Sequence, residues 1–596
     1  MSARTSGTTS NAGGITGKVF GAGVYIAAAA ATIGFVTLTP FPAYTVNLLM
    51  QASTYAIAVL GLTIVLGYSG QMNLGQAAFF GLGAYGVALG TTSFGLPFWV
   101  ALVVGMAVAS VAGAALGLMS LRLGGHYLAM VTISFQTILS LVLTNWVGFT
   151  HGPDGISGIG RPSRFAESGP YLGLCVAGLF FVGYLVWYLR KTKLGRAMQA
   201  TRDNELAAAV VGVNTYRTKV TAFTLSALLG GLGGGLFAGG FSYISPDQFS
   251  FSESVVFLTM ALLGGSRSPF GTVFGTGLLI MLPEWLRFLK TIYLAVYGGA
   301  VILIMVFMPD GIFGFAAVIW RKMHPIQPLA TGEIPPLTLG HPGGREQRPA
   351  TLKISGLVKH FGGVKAVDEV DMAVERNTVH ALIGPNGSGK TSLLNVLSGI
   401  YRPTAGHIDF DGEDITHLKP YQRAGRGLGR TFQNIRLFTD VNVLDNVKIG
   451  AERPGNAIGG GAALERHALA ALEFVGLANR AFEAVGSMSY GHQRLVEIAR
   501  ALAGNPKLLL LDEPGAGLNH SEKDGLVLLL ERLKGQGLTI VIVDHDMHLV
   551  ERVADRITVL NFGRHIADGA PAEVLRNPDV VAAYLGKVDE NAAPRA

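Results

Sequence analysis

The stretch TVHALIGPNGSGKTS, residues 378–392, decides the fold of the C-terminal half of the chain. Its first six residues are typical of a strand, and the run SLLNVLSGI that continues from it is typical of a helix. Between them, GPNGSGKT matches G-x-x-x-x-G-K-[ST], a loop whose backbone N–H groups surround phosphate oxygens. In such loops the lysine reaches the β- and γ-phosphates, and the hydroxyl binds Mg²⁺. The pattern therefore predicts a site for ATP and Mg²⁺ built from Gly384, Pro385, Asn386, Gly387, Ser388, Gly389, Lys390, Thr391 and Ser392.

A second motif, KLLLLDEP at 507–514, has the pattern of a buried strand that ends in two acids. Asp512 can hold the water shell of Mg²⁺, and Glu513 can polarise the attacking water. General-base assistance of this kind contributes about 10²–10⁴-fold to a rate. The alternative is a pair of structural acids after a strand, but the phosphate loop upstream favours the catalytic interpretation.

A third motif, MSYGHQRLVEIARAL at 488–502, lies about twenty residues before the acidic pair. Ser489, Gly491 and Gln493 stand as in the S-x-G-x-Q core of the ABC-transporter signature, which the segment resembles. Gln433 in RTFQNIRLF and His545 in IVDHD complete the motif order of that family. The segment departs from the usual signature at Met488, Tyr490 and His492.

This resemblance, which covers about 352–590, implies that two such domains sandwich ATP between one phosphate loop and the signature of the other. His545 is then expected to contact the γ-phosphate, and Gln433 to sense it through Mg²⁺ or water. The resemblance also implies that Phe361 in KHFGG stacks on adenine. Asn519 stands where many members have aspartate, so the role of that turn is left open. The expected Mg²⁺ contacts are Thr391, Gln433 and Asp512.

The N-terminal half has a different composition. The whole chain is 49% hydrophobic and only 14% charged, against about 25% charged in soluble proteins. The deficit is concentrated in residues 19–320, which belong in lipid. Many basic residues flank apolar runs there, as the positive-inside rule describes. The net charge of +7 therefore reflects the orientation of the spans in the membrane and does not indicate binding to nucleic acid. A single cysteine, Cys175, excludes an internal disulfide.

About 20 apolar residues cross a bilayer as a helix. Eight to ten spans are expected, and ten place both the ATPase domain and the basic segment 190–202 in the cytoplasm. The loops 149–169 and 241–252 are then external. The first apolar run has the length of a retained helix and not of a signal peptide. The candidate spans are 19–38, 43–66, 72–93, 97–120, 127–148, 170–189, 217–240, 253–266, 270–286 and 291–313.

These features predict a multi-domain chain: an all-α polytopic membrane domain followed by an α/β P-loop ABC ATPase domain. The predicted parts are a cytoplasmic tail 1–18, a permease domain 19–320, a Pro-rich linker 321–350 and the ATP-binding domain 351–596. Six prolines make the linker extended and semi-rigid.

Two features inside the apolar part have alternative interpretations. Gly231, Gly235 and Gly239 recur every four residues, which indicates a helix-packing seam, either near a translocation path or as plain tight packing. The polar stretch GYSGQMNLGQ, 67–76, either lines a pathway inside the protein or is a loop at the membrane surface.

The cytoplasmic stretch 193–223 contains a helix-like run at 203–211. Similar stretches in ABC importers form a coupling helix that docks beside the glutamine loop of the ATPase. We expect Arg202 and Glu205 to make polar contacts and Leu206 and Val210 to insert; the alternative is a solvated loop.

The permease half resembles the membrane subunits of high-affinity branched-chain amino acid importers, through 67–85, 195–214 and 262–275. The ATPase half resembles one of the two ATPases of the same system, through 489–502, 516–519 and 576–586. The resemblance implies an inner-membrane importer half that hydrolyses ATP and works with a second permease, a second ATPase and an extracytoplasmic solute-binding protein. The assembly is a hetero-oligomer or a homodimer.

Four further functions stay open at this stage. The cargo could instead be urea, amides or aromatic acids. An exporter half-transporter has the same domain order, but the short spans and brief loops favour import. An ATP-gated regulator would not need intact Lys390, Glu513 and His545. A soluble P-loop enzyme with an anchor would need only one span.

Overall fold

A computed structural model describes residues 12–120, 126–308, 310–323, 334–337, 339, 350–456 and 458–585. Residues 1–11 of the predicted tail and most of the predicted linker lie outside these residues. The chain forms two compact units: residues 1–192 with 219–324, and residues 193–218 with 325–596. The division at 324/325 falls inside the predicted linker. Residues 193–218, which contain the predicted coupling helix, group with the C-terminal unit.

The N-terminal part of the chain is mainly helical. The helices Lys193–Asp203 and Glu205–Val210 belong to the second unit, and a π-helical turn, Thr63–Tyr68, continues the helix Ala43–Leu62. The helices are α1 (Ala12–Leu38), α2 (Ala43–Leu62), α3 (Gln76–Thr92), α4 (Phe98–Ser120), α5 (His126–Asn145), α6 (Val147–Thr150), α7 (Ser168–Arg190), α8 (Lys193–Asp203), α9 (Glu205–Val210), α10 (Thr215–Phe241), α11 (Phe251–Gly264), α12 (Pro269–Trp285), α13 (Tyr293–Phe307) and α14 (Gly311–Met323).

Each of the ten predicted spans contains a helix. Among the described residues, five helices are long and apolar enough to cross a membrane. The helices in the other predicted spans do not meet this criterion among the residues that the structure describes, so the total of eight to ten stays a prediction. The five are Ala43–Tyr68, Phe98–Met119, Tyr127–Asn145, Ser168–Arg190 and Thr215–Phe241.

The glycines of α10 permit close helix packing. A Cβ on Gly231 would lie 2.9 Å from the Cβ of Ala109 in α4, and one on Gly235 would lie 2.4 Å from Leu102 Cδ1. A Cβ on Gly239 would lie 2.4 Å from the Tyr171 hydroxyl. Side chains at these positions would therefore push the neighbouring helices away. The predicted packing seam is confirmed.

The polar stretch between α2 and α3 lies inside the protein. Ser69, Gln71, Asn73 and Gln76 are each at most 6% exposed. Gln76 Nε2 donates to the Ala58 carbonyl at 2.8 Å, and its Oε1 accepts from Asn73 Nδ2 at 3.0 Å. Internal partners of this kind satisfy polar groups that lipid could not. The burial of these four side chains favours a stretch packed inside the protein over a loop at the membrane surface, although Met72 is 52% exposed.

Two loops predicted to be external pair with each other. β1 (Ile156–Ser157) and β2 (Tyr243–Ile244) form a two-stranded antiparallel ladder. Nearby, Arg161 Nε donates to the Gly239 carbonyl at 2.8 Å at the end of α10, and its guanidinium lies 5.2 Å from the Tyr171 ring centroid. The ladder and this arginine join the loops 149–169 and 241–252 to α10.

The second unit contains two sheets. One has six strands in the order β12-β11-β5-β10-β9-β8, all parallel except β12, and the second has the order β4-β3-β6-β7. The strands are β3 (Ala350–Phe361), β4 (Val364–Glu375), β5 (Val379–Ile383), β6 (Ala405–Phe410), β7 (Glu413–Asp414), β8 (Leu428–Arg430), β9 (Leu508–Asp512), β10 (Thr539–Val543), β11 (Arg556–Asn561) and β12 (Arg564–Gly569).

One face of the six-stranded sheet packs on several helices, and the other face packs on the helix Lys390–Leu397 and on the four-stranded sheet. β5, β9 and β10 are buried along their whole length, as the continuous apolar runs in the sequence indicate for central parallel strands. The helices are α15 (Lys390–Leu397), α16 (Pro420–Arg426), α17 (Val443–Ala451), α18 (Ala462–Phe474), α19 (Tyr490–Ala503), α20 (His520–Gly535), α21 (Met547–Val553), α22 (Pro571–Val574) and α23 (Pro578–Leu585).

Part of the predicted linker packs on this unit. Leu337 is only 4% exposed and belongs to the apolar core that contains α18 and α20. Gln536 Nε2 donates to the Leu337 carbonyl at 3.3 Å, and Pro335 and Pro336 line a groove with Ala463. The linker therefore contributes an anchoring side chain to the ATPase core, which its composition did not predict.

We expect Leu337→Ala to lower the free energy of unfolding of the C-terminal unit by about 2–3 kcal/mol, because a buried leucine loses its contacts and leaves a cavity. Thermal unfolding of the detergent-solubilised chain measures this as a lower midpoint. Leu528, 59% exposed on α20, is the matched control, and Leu528→Ala should change the free energy by less than about 0.5 kcal/mol. Equal midpoints for the two variants would show that Leu337 is not an anchor.

Candidate functional site

The phosphate loop connects β5 to α15, as predicted. Lys390 is 8% exposed, and its Nζ donates to the carbonyls of Gly384 at 2.7 Å and Pro385 at 2.9 Å. Burial lowers the pKa of Lys390, while the nearby carboxylates of Glu513 and Asp512 oppose that shift. Gly389 has φ +99°, and a Cβ there would lie 2.1 Å from the Ala366 carbonyl oxygen. Only glycine fits at this position.

Asp512 ends β9, two strands from the phosphate loop, and is 1% exposed. Its Oδ2 accepts from Arg430 Nη2 at 3.2 Å, and its Oδ1 is buried without a hydrogen-bond partner among the described residues. Carboxylate and hydroxyl oxygens are the donors that Mg²⁺ prefers. The unpaired Oδ1 therefore fits a site that is completed by a metal-bound water shell.

Glu513, Gln433 and His545 meet beside the phosphate loop. Gln433 Nε2 donates to Glu513 Oε2 at 3.0 Å, and His545 Nδ1 lies 3.7 Å from the same oxygen. A cleft of about 400 Å³ is lined by Asn386, Gly387, Gly389, Lys390, Thr391, Ser392, Gln433 and Glu513, together with Val364, Lys365, Ala366 and Phe562. The structure thus brings the loop, the acid and the glutamine together.

The signature residues lie elsewhere in the unit. Ser489 caps the N-terminus of α19, where its Oγ lies 2.8 Å from His492 Nδ1, and Gln493 Nε2 donates to the Met488 carbonyl at 3.0 Å. Neither Ser489 nor Gln493, nor Gly491 beside them, is among the described residues that line the nucleotide cleft. This separation agrees with a signature that serves a second domain.

Asn519 has a local structural role. Its Oδ1 accepts from Glu522 N at 2.9 Å, and Glu522 Oε2 accepts from Asn519 N at 3.0 Å. This reciprocal pair is a capping box at the start of α20. An asparagine cap is as favourable as aspartate, which explains why the helix tolerates this residue.

Phe361 ends β3 and is 40% exposed. Its ring packs edge-on against Tyr401 at 5.1 Å, with Lys359 Nζ 4.8 Å from its centroid. Phe361 is not among the described residues that line the cleft, so its stacking on adenine stays a prediction. Tyr401 was not predicted from the sequence, because no motif surrounds it.

The predicted coupling stretch docks on the ATPase fold. We call its buried contact the docking cluster, which consists of Ala200, Ala207, Ala208, Val210, Val211, Phe432, Phe438, Val441 and Ile449. Val210 is buried as predicted, but Leu206 is 42% exposed, so its predicted insertion is wrong. The reason is a helix break at Asn204, whose Oδ1 caps α9 by accepting from Ala207 N at 2.9 Å. The cap starts a new helix and turns the small alanines inward.

Ion pairs surround the docking cluster. Arg196 makes two hydrogen bonds to Glu452, one of them 3.1 Å from Nε to Oε2, with both side chains at most 13% exposed. Arg202 Nη1 lies 3.5 Å from Asp440 Oδ2, which confirms the contact predicted for Arg202. Glu205 opens α9 in an exposed position. The solvated-loop interpretation is therefore wrong.

Docking should weaken as the pH rises. Burial raises the pKa of Asp203 to about 6, and Asp440 and Arg202 are its charged neighbours. The ordinary aspartate value is about 3.9, so the unfolded segment loses its proton first as the pH rises. The stabilising contribution of protonated Asp203 is complete below pH of about 4 and is lost as the pH rises through about 6.

Amide hydrogen exchange in α8 and α9, corrected for intrinsic rates, checks this between pH 4.5 and 7.5. Asp203→Asn mimics the protonated acid and should flatten the pH dependence of protection. Asp524→Asn, at a side chain 60% exposed, should leave that dependence as in the unaltered chain. An unaltered dependence in Asp203→Asn would contradict the assignment to this carboxyl.

An apolar helical unit joined to a nucleotide-binding unit with this cleft defines an ATP-driven transporter of the ABC class. The family model "Branched-chain amino acid transport system / permease component" matches residues 44–308, and "ABC transporter" matches 367–516. A third model, "Branched-chain amino acid ATP-binding cassette transporter", matches 564–590.

The two halves match separate curated proteins. The C-terminal half is 41% identical over 249 residues to the high-affinity branched-chain amino acid transport ATP-binding protein BraF of Pseudomonas aeruginosa, covering 40% of this chain and 98% of BraF. The N-terminal half is 35% identical over 299 residues to the permease protein LivM of Escherichia coli, covering 45% of this chain and 69% of LivM. Among solved structures, a nucleotide-free ATP-binding cassette from an ABC transporter is 33% identical to this chain, with a TM-score of 0.38. The match covers 40% of this chain and 100% of the cassette.

The chain belongs to the branched-chain amino acid transport family of ABC transporters, with the permease and the ATP-binding cassette in one polypeptide. It is a multi-pass inner-membrane protein with a cytoplasmic ATPase domain, and it couples ATP hydrolysis to transport. These matches support import and do not favour an exporter half-transporter or an importer of urea, amides or aromatic acids.

Proposed function

We propose that this chain is one half of an importer of branched-chain amino acids, working with a second permease, a second ATPase and a solute-binding protein. The curated relatives of both halves are named for branched-chain amino acid transport. The observation that carries the proposal is the docking of residues 193–218 on the ATPase fold beside Gln433, whose side chain bonds to Glu513. A chain segment from between two apolar helices thus contacts the machinery of hydrolysis.

In the proposed reaction, Glu513 orients and deprotonates the water that attacks the γ-phosphate, and Lys390 binds the β- and γ-phosphates. His545 contacts the γ-phosphate, and Gln433 senses the γ-phosphate through Mg²⁺ or water. Phe361 stacks on adenine. Apart from Phe361, these residues lie on adjacent parallel strand ends or the loops after them, where phosphate sites of α/β folds occur.

The proposed Mg²⁺ contacts are Thr391, Gln433 and Asp512, and the ion would neutralise charge on the phosphates. Ser489, Gly491 and Gln493 would act on ATP bound to a second cassette. The N-terminus of a helix such as α19 suits a phosphate because backbone N–H groups in the first turn lack intrahelical partners. Two cassettes that close on ATP would then drive alternating access in the permeases.

The test uses the complex that co-purifies with this chain, reconstituted in proteoliposomes with its solute-binding protein. We expect ATP-dependent uptake of labelled leucine, isoleucine and valine well above that of urea, an amide or an aromatic acid. Uptake of the three amino acids no higher than in Glu513→Gln proteoliposomes would overturn the proposal. Mass spectrometry of the co-purifying chains distinguishes a hetero-oligomer from a homodimer.

A further inference from the structure

Three charged residues of α19 are buried away from the nucleotide cleft. Arg494, Glu497 and Arg500, here called the signature-helix triad, are each at most 1% exposed. Arg494 Nη1 donates to Glu497 Oε2 at 2.9 Å, and Arg500 Nη2 lies 3.6 Å from Glu497 Oε1. Burying charges is costly, and apolar replacements of such clusters are often neutral or stabilising. Stability alone therefore does not explain the triad.

Arg494 contacts the backbone of both groups that meet in the cleft. Its Nη1 donates to the Phe432 carbonyl at 2.5 Å, and its Nη2 donates to the carbonyl of Gln433 at 2.8 Å and that of Glu513 at 3.4 Å. One planar guanidinium thus joins the glutamine loop to the residue after β9. A guanidinium presents donors in a fixed fork, which an ammonium cannot reproduce.

The backbone of Glu513 needs such support. Its φ is +44°, in the left-handed region that non-glycine residues rarely adopt. Such residues persist where the surroundings hold them. Here the Glu513 N–H donates to the Val543 carbonyl at 2.7 Å, and Arg494 holds the carbonyl side. The same carbonyl also accepts from Ala516 N at 3.2 Å, so Arg494 is one of the contacts that hold the Glu513 backbone.

The rest of the triad holds the far end of the same loop. Glu497 Oε1 accepts from Arg436 N at 3.3 Å, and Arg500 Nη1 donates to the Arg436 carbonyl at 2.7 Å. The Arg436 side chain reaches Asn204 Oδ1 of the docked segment at 3.4 Å. The triad therefore contacts a loop that has the docked segment at one end and Glu513 at the opposite end.

We propose that Arg494, oriented by Glu497, is a positioning residue for ATP hydrolysis that fixes the backbone of Gln433 and Glu513. This inference rests on the proposed roles of those two residues. Arg494 does not contact the nucleotide in this proposal. It sets the distance between the glutamine and the base, and misplacement of a catalytic group by about 1 Å can cost about 10²-fold in rate.

The experiment compares Arg494→Lys with the unaltered transporter in the assembled complex. We expect the kcat for ATP hydrolysis to fall about 10- to 100-fold, while KM and the equilibrium affinity for ATP change by less than about twofold. An interaction that only orients the reacting groups lowers kcat without weakening ground-state binding. The matched control is Arg532→Lys on α20, where the guanidinium packs on Phe474; its kcat and KM should stay unchanged.

Glu497→Gln is a second variant that keeps the side-chain shape but loses its charge. It should lower kcat about 5- to 10-fold at constant KM, and it carries the test alone if Arg494→Lys does not assemble. A kcat within twofold of the unaltered value, or a parallel loss of kcat and ATP affinity, overturns the positioning role. Turnover that persists in Glu513→Gln would instead show that the role proposed for Glu513 as the base is wrong.

Discussion

Glu513→Gln is expected to reduce ATP hydrolysis by about 10²–10⁴-fold, the range typical of a lost general base. The amide keeps the shape and the contact with Gln433 but cannot accept a proton from water. Transport should fall with hydrolysis. The affinity for ATP should stay within about twofold, because Lys390 and the phosphate loop are unchanged. Phosphate release and equilibrium ATP binding by the reconstituted complex measure the two effects separately.

The matched control for this change is Glu531→Gln on α20, at an exposed position outside the nucleotide cleft. It should hydrolyse ATP at the unaltered rate. Hydrolysis by Glu513→Gln above about a tenth of the unaltered rate would assign the base to another group. A common loss of hydrolysis and ATP binding would indicate a damaged loop and not a missing base.

Reversing either charge of the Arg196–Glu452 pair is expected to lower transport at least tenfold. Both side chains are mostly buried and bond in a bidentate way. Arg196→Glu or Glu452→Arg would place two like charges in contact, and a buried charge without its partner is strongly destabilising. The docked segment would separate from the ATPase fold. ATP hydrolysis would then no longer be coupled to movement of the apolar helices.

The double reversal tests this interpretation, because it restores the pair with its direction inverted. We expect at least a third of the unaltered uptake to return. The exposed pair Arg552–Asp524, with side chains 54% and 60% exposed, is the control, and Arg552→Glu should change uptake by less than twofold. Single and double variants with equally low uptake would count against a role for this pair in coupling.

The position of the nucleotide cleft could be predicted from sequence because it follows from strand order. The phosphate loop, Glu513 and His545 each follow a buried apolar run, and parallel strands bring such endpoints to one edge of a sheet. Gln433 follows the short edge strand β8, so it arrives at the same edge. The sequence motifs were enough to predict the cleft because each motif sets where its residues lie relative to the end of a strand.

Long-range partners could not be predicted in this way. Arg494 and Glu497 look like ordinary polar residues of an amphipathic helix, and only the fold shows that they point into the protein. Leu337 lies in a proline-rich segment whose composition gives no sign of burial. The prediction that Leu206 inserts assumes that Leu206 and Val210 share the buried face of the run 203–211, but α9 buries Ala207, Ala208 and Val210. The cap at Asn204 rotates the second helix, and a cap within a polar run is hard to distinguish from a helix interior.

The ladder of β1 and β2, with Arg161 beside it, ties two loops on the proposed external side into one ordered surface. A solute-binding protein that docks there would meet a contact surface that is already ordered. Association loses less entropy when the contact surface is fixed in advance. Recognition of the solute-binding protein would then depend on the shape of this surface. Transfer of the solute would require little rearrangement of the loops themselves.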